Sequence, residues 1–193
     1  MSNQLSFSAI IPAAGYSERM GTEKAMLQLR NGKTFVENLL INYITFGADP
    51  VVIIVNKAFD HTRINLNTIL CVENDHVEYG RSYSVKLGIQ NIPAGHACFI
   101  QNIDNPFVDT GLLGELLSAL NDDSYVIPVH CDRGGHPVLL GKNIVSSLII
   151  DDQFADFRDV LKNFTRIEIP CEDPRVLLNI NTHEDYLKFM EGI

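Results

Sequence analysis

The sequence predicts an α/β fold: a three-layer αβα sandwich on a mostly parallel, Rossmann-like sheet. Short apolar runs without polar alternation recur at Phe7–Ile11, Val51–Val55 and Ala97–Ile100, as in strands covered on both faces. Between them lie stretches with apolar residues at helical spacing. Strands alternating with helices pack as a parallel sheet between two helical layers. The 193 residues are 46% hydrophobic and 20% charged, enough apolar material for a full core, and are expected to form one domain over 1–193.

The elements follow in order. Phe7, Ala9, Ile10 and Ile11 make the first strand, which Pro12 closes because it has no N–H for a ladder. Asn31-Gly32-Lys33 is a turn. Thr34 and Glu37 form a capping box for a helix that Gly47 ends. Val51–Val55 is a central strand, 58–68 an irregular segment, and Ile69–Val72 a third strand. Gly80-Arg-Ser-Tyr-Ser84 is a loop running into a helix, and Ala97–Ile100 the fourth strand. Asp109 or Thr110 caps a helix through Leu120. Strands are expected at Tyr125–Val129, Pro137–Leu140, Arg166–Ile169 and Val176–Ile180, with two helical patches in 143–163. Thr182 opens a terminal helix to Met190, with Glu184 and Asp185 where the helix dipole favours anions.

A net charge of −9 argues against nucleic acid or an anionic membrane as partner. It leaves room for a nucleotide, which needs only local cations, amides and a divalent metal. No apolar run approaches the ~18 residues of a membrane span, so a cytoplasmic location is expected. Cys71, Cys98, Cys131 and Cys171 are far apart, which predicts reduced, mostly buried thiols and no structural zinc.

Residues 8–27 carry the chemistry. After the strand come Ala13, Ala14 and Gly15, where backbone can approach a ligand closely, then Ser17, Arg19 and Lys24 with Gly21 between the cations. Neither the Walker pattern nor Gly-x-Gly-x-x-Gly is present. The residues alone leave two readings: a strand-to-loop connection with solvated charges, or a polyphosphate cradle of amides and cations.

Pro-Ala-Ala-Gly-Tyr-Ser-Glu-Arg-Met-Gly-x-x-Lys resembles the signature loop of nucleotidyltransferases that activate sugar, alcohol and cofactor phosphates with an NTP. It most resembles the molybdenum cofactor cytidylyltransferase family, whose loop carries Ala-Ala-Gly-x-Ser-x-Arg-Met-Gly-x-x-Lys; related guanylyltransferases usually read Ala-Gly-Gly there. The resemblance implies a nucleotide-diphospho-sugar transferase-like fold. It places Ala13 and Ala14 near the base, and Gly15, Ser17, Arg19 and Lys24 around the triphosphate. Asn74, Gly80 and Ser84 resemble the element that meets base and ribose, while Ser82 or Ser84 could equally cap a helix.

Asp104, in Asp-Asn-Pro, matches the family aspartate that holds Mg²⁺, although Ile103 replaces a small residue. By itself it could as well cap a turn before Pro106. Lys24, Arg19 and Asp104 are the implied catalytic set. The family's late Asp-Ile-Asp-Thr-x-Glu-Asp reads Asn179-Ile-Asn181-Thr-His-Glu-Asp185. Asn181 can be a neutral metal ligand or a helix N-cap. Arg133-Gly-Gly-His-Pro137 resembles a segment toward the acceptor, with Gly135 and His136 as its contacts; a polar rim is the plainer role for His136. Asp151-Asp152 and Arg158 match the family's Gly-Asp-x-Gly-x-Arg loosely.

The implied reaction is Mg²⁺-dependent transfer of CMP from CTP to the phosphate of molybdopterin, releasing pyrophosphate. The alternatives are a GTP- or sugar/alcohol-phosphate-using enzyme, and a non-catalytic nucleotide or cofactor chaperone for a molybdoenzyme, suggested by Asn181 and Ile103.

Overall fold

A computed structural model describes residues 5–16, 20–21, 23–60, 62, 64, 69–150 and 156–192. The strands are β1 (Phe7–Pro12), β2 (Val51–Val55), β3 (Ile69–Glu73), β4 (Ala97–Ile100), β5 (Ser124–His130), β6 (Arg133–Gly134), β7 (Val138–Leu140) and β8 (Thr165–Pro170). The helices are α1 (Phe35–Phe46), α2 (Gly80–Ile89), α3 (Thr110–Ala119), α4 (Lys142–Ile150), α5 (Phe157–Leu161) and α6 (His183–Glu191).

The sheet runs β3-β2-β1-β4-β7-β5-β6, with β8 on the other edge of β5. β3, β2, β1 and β4 are mutually parallel. β7 runs antiparallel to both β4 and β5, so β5 and its parallel partner β8 share the direction of β4. Six of the eight strands therefore point one way, giving the mostly parallel sheet that was expected. Only β7 and the two-residue β6 are reversed.

Successive residues of β1 alternate between the two faces, as a strand requires. Ala9 and Ile11 join Leu39, Leu40, Tyr43, Leu113 and Leu116 beneath α1 and α3. Ile10 joins Val85, Ile89, Ile144, Leu148 and Phe157 beneath α2, α4 and α5. Both faces are covered, which makes the three layers. Gly88 lets α2 sit close, because a Cβ there would lie 2.4 Å from the Ile10 side chain. A third apolar cluster of Met20, Leu29, Phe35, Phe107 and Ile180 ties α6 to the segment after β1.

Three predicted helix starts hold. Thr34 accepts from the Glu37 N–H while the Glu37 carboxylate takes the Thr34 N–H. Asp109, not Thr110, caps α3 by accepting from the Leu112 N–H. Thr182 and Asp185 form a second capping box at α6. Gly47, in the left-handed conformation (φ 99°), closes α1.

Three expectations fail. Val176–Ile180 is not a strand; Pro174–Leu177 is a 3₁₀ turn. The Val176 carbonyl accepts from the His136 N–H and from Asn105 Nδ2, and the Ile180 N–H donates to the Asp104 carbonyl. These groups are thus engaged outside any ladder. Gly80-Arg-Ser-Tyr-Ser84 is the first half of α2 itself rather than a loop before it. Only Cys98 is fully buried; Cys71 and Cys131 are exposed and Cys171 is intermediate. Cys71 and Cys131 lie on the edge strand β3 and the turn after β5. Among the described residues, no helix is long and apolar enough to cross a membrane.

Candidate active site

A cleft of about 480 Å³ opens at the carboxyl ends of β1 and β4. Ligands collect there in α/β folds because loops and helix N-termini converge on that edge. Pro12, Ala13, Ala14 and Gly15 form one wall, Gly80, Arg81 and Ser84 another, and Lys24, Asp104 and Asn181 face the space between.

The first wall is fixed through its backbone. The Ala13 N–H donates to Ile54 O at 2.7 Å, and Asn56 Nδ2 donates to Ala14 O at 2.9 Å. Ala14 is buried, while Gly15 is exposed and an added Cβ would meet nothing within 4 Å. Ser17 and Arg19 lie outside the described residues.

On the second wall Ser84 lines the cleft, whereas Asn74, 1% exposed, lies behind it and donates from Nδ2 to Ser84 Oγ at 3.0 Å. Asn74 Oδ1 accepts from the His76 N–H. Ser84 sits in the second turn of α2, so it caps nothing, and Ser82 Oγ accepts instead from the Phe157 N–H on α5. Gly80 takes φ 79°, a conformation that opens α2 toward the cleft and that a Cβ would strain.

Lys24 Nζ donates to Asn181 Oδ1 at 2.8 Å, joining residues 157 positions apart. Asn181 therefore does not cap α6; Thr182 does, and the Asn181 N–H donates to Asp185. Burial pushes the Asp104 carboxyl above its ordinary value, opposed by the positive charges of Lys24 and Arg81. Asp104 Oδ1 is buried without a hydrogen-bond partner in the protein. Such an oxygen normally has a partner, and a divalent cation suits it. Asn181 offers a carbonyl oxygen across the cleft, already engaged by Lys24. Among the described residues no cluster of three or more His, Cys, Asp or Glu could hold a metal alone. The oxygens of Asp104 and Asn181 in the cleft could both serve a divalent cation.

Arg81 is a site residue that the sequence reading passed over. It stands between the matched Gly80 and Ser84, and that position was its one available signal. The side chain is exposed outwardly, yet protein crowds it enough that desolvation lowers its pKa, while Asp104 raises it.

His136 lies beside the cleft. Asn102 Nδ2 donates to His136 Nε2 at 2.9 Å, which leaves the ring proton on Nδ1, a buried atom without a partner in the protein. Burial pushes the imidazole down to about 3, and the charges of Arg81 and Arg158 add to the shift. It is neutral at physiological pH, a donor rather than a cation. Gly135 is buried, does not line the cleft, and is packed against the Val176 carbonyl. Its part is to let two backbones approach.

The arrangement holds a cradle of fixed backbone, a lysine, a carboxylate with an unpartnered oxygen, and an arginine. It can neutralise a polyphosphate and a metal together.

A profile described as the MobA-like NTP transferase domain matches residues 9–164. The molybdenum cofactor cytidylyltransferase of Escherichia coli K12 is 27% identical over 184 residues, 94% of each chain. A probable molybdenum cofactor guanylyltransferase of Natranaerobius thermophilus is 28% identical over 193 residues, 92% of each chain. A nucleotidyl transferase structure from Methanothermobacter has a TM-score of 0.78 at 20% identity, covering 97% of both chains. The fold is that of the nucleotide-diphospho-sugar transferases.

Proposed function

The chain belongs to the MobA-like NTP transferase family, and on that footing we propose that this nucleotidyltransferase moves CMP from CTP to the phosphate of molybdopterin. The observation that carries the reading is the placing in one cleft of Lys24 and of Asp104, whose buried Oδ1 has no partner in the protein. The cytidylyl assignment leans on Ala13-Ala14 and on the likeness to the Escherichia coli enzyme.

An acceptor phosphate oxygen forms a bond to the α-phosphorus of CTP as the bond to the β-phosphate bridging oxygen breaks. Pyrophosphate leaves with the electron pair. The acceptor oxygen is already ionised, so no proton need be removed from it. The protein's work is positioning and charge neutralisation. Backbone at Ala13–Gly15 and the Lys24 ammonium hold the triphosphate, and Arg19 is assigned the same work from its place in the loop motif. Ser84, held in place by the buried Asn74, is assigned to the base and ribose. Arg81 flanks the incoming phosphate, while His136, buried beside the cleft and accepting from Asn102, helps to fix that wall. Asp104, with Asn181 once it leaves Lys24, would hold Mg²⁺, which when bound neutralises charge on the phosphates.

The test is pyrophosphate release from CTP or GTP with Mg²⁺ and molybdopterin. Acceptor-dependent release with CTP preferred is the expected result. A GTP preference overturns the base assignment. Retained nucleotide binding without release under any acceptor favours a non-catalytic carrier for a molybdoenzyme, the reading that the neutral Asn181 supports.

A further inference from the structure

A second chamber of about 620 Å³ adjoins the cleft, with Gly80 and Arg81 in the walls of both. Its far wall is Phe157 and Arg158 on α5, and its near wall is Tyr79 and Tyr83. The Ser82–Phe157 hydrogen bond of 3.1 Å fixes the two walls together. Tyr79 is 63% exposed. It is nevertheless held in place: the His76 ring stacks on it at 5.0 Å and 14°, and Tyr83 stands against it at 5.3 Å and 89°. Tyr83 also meets His76 edge-on at 6.0 Å. One ring face is covered by imidazole, so the other supplies exposed area at little further ordering cost. Beside this platform Arg81 and Arg158 place two cations in a chain whose net charge is −9, and the one carboxylate among the described residues of the wall, Asp156, is engaged as the cap of α5, accepting from the Arg158 N–H.

Resting on the nucleotidyltransferase reading above, we propose that this chamber is the acceptor's ring pocket. A planar heterocycle stacks on Tyr79 against Tyr83. The phosphate attached to it lies toward Arg81 and Arg158, at the passage into the nucleotide cleft. The Tyr79 platform thereby selects phosphomonoesters bearing an aromatic ring over acyclic polyol phosphates. A polyol offers the rings no face to stack on, and its hydroxyls would lose water against aromatic carbon.

The test titrates the full chain with 6-hydroxymethylpterin, its monophosphate and glycerol 3-phosphate. Pterin emission reports ring binding, and calorimetry reports glycerol 3-phosphate and CTP. Tyr79→Ala weakens both pterins about tenfold, the scale of one base on one aromatic ring. Tyr79→Phe keeps their affinity within about twofold, since the ring face remains. CTP and glycerol 3-phosphate affinities are unmoved in both variants. The proposal is overturned if neither pterin binds, if Tyr79→Ala leaves pterin affinity unchanged, or if CTP affinity falls in step. Should pterin binding depend on Tyr79 while no acceptor ever releases pyrophosphate, the pocket stands and nucleotidyl transfer falls.

Discussion

Replacing Gly135 by Ala tests how the acceptor side is built. The added Cβ would lie 2.5 Å from the Val176 carbonyl oxygen and 2.9 Å from its carbonyl carbon. Ordinary contact begins at 3.4 Å, so the two segments must part by about 0.9 Å. That carbonyl accepts from the His136 N–H at 2.9 Å and from Asn105 Nδ2 at 3.0 Å. A shift of that size stretches both beyond hydrogen-bonding distance. Two lost bonds at about 1 kcal/mol each add to an overpacking cost of about 1–3 kcal/mol. Reduced freedom of the unfolded chain returns about 0.4–1 kcal/mol. The net loss is about 3 kcal/mol, or a Tm lower by roughly 6–12 °C for a chain of this size. Thermal and urea unfolding followed by circular dichroism measure it. Because His136 moves with its backbone, acceptor-dependent turnover falls while CTP affinity holds. A Tm within about 3 °C of wild type would refute the packing argument.

Gly15→Ala is the complementary case: nothing lies within 4 Å of the new Cβ, so Tm should stay within about 1–2 °C. CTP affinity, read by calorimetry, should fall because the methyl intrudes where the nucleotide meets the backbone. Asp104→Asn should lower kcat by about 10²–10³-fold while Tm holds or rises. The raised carboxyl pKa shows that the fold disfavours the charged form, and a drop in Tm would contradict this. His136 has a depressed folded pKa of about 3 against an ordinary 6.5, so the unfolded chain binds its proton first. Its share of stability is intact above pH 6.5 and is lost toward pH 3, at up to about 1.4 kcal/mol per pH unit. Asp104 has the opposite sign, losing its destabilising effect as pH falls through its raised value. Urea midpoints of wild type and His136→Asn between pH 4 and 8 isolate the histidine; parallel curves would dismiss it.

The sequence by itself determined what rests on local chemistry. Runs such as Val51–Val55 can only be strands covered on both faces, and Thr34 with Glu37 satisfies a helix start from within four residues. The order of these elements sets the sheet, and the loop motif between Pro12 and Lys24 carries the family resemblance. Tertiary structure alone decided what depends on partners far along the chain. Val176–Ile180 has strand-like composition, but its backbone groups found Asn105, His136 and Asp104 before any ladder. Asn181 could have capped a helix until Thr182 took that place and Lys24 claimed its oxygen from 157 residues away. Arg81 became a site residue because α2 begins at Gly80 and turns its first residues toward Asp104. Hydrogen-bonding capacity is written in each residue, while its use is settled by whichever partner folding brings within reach.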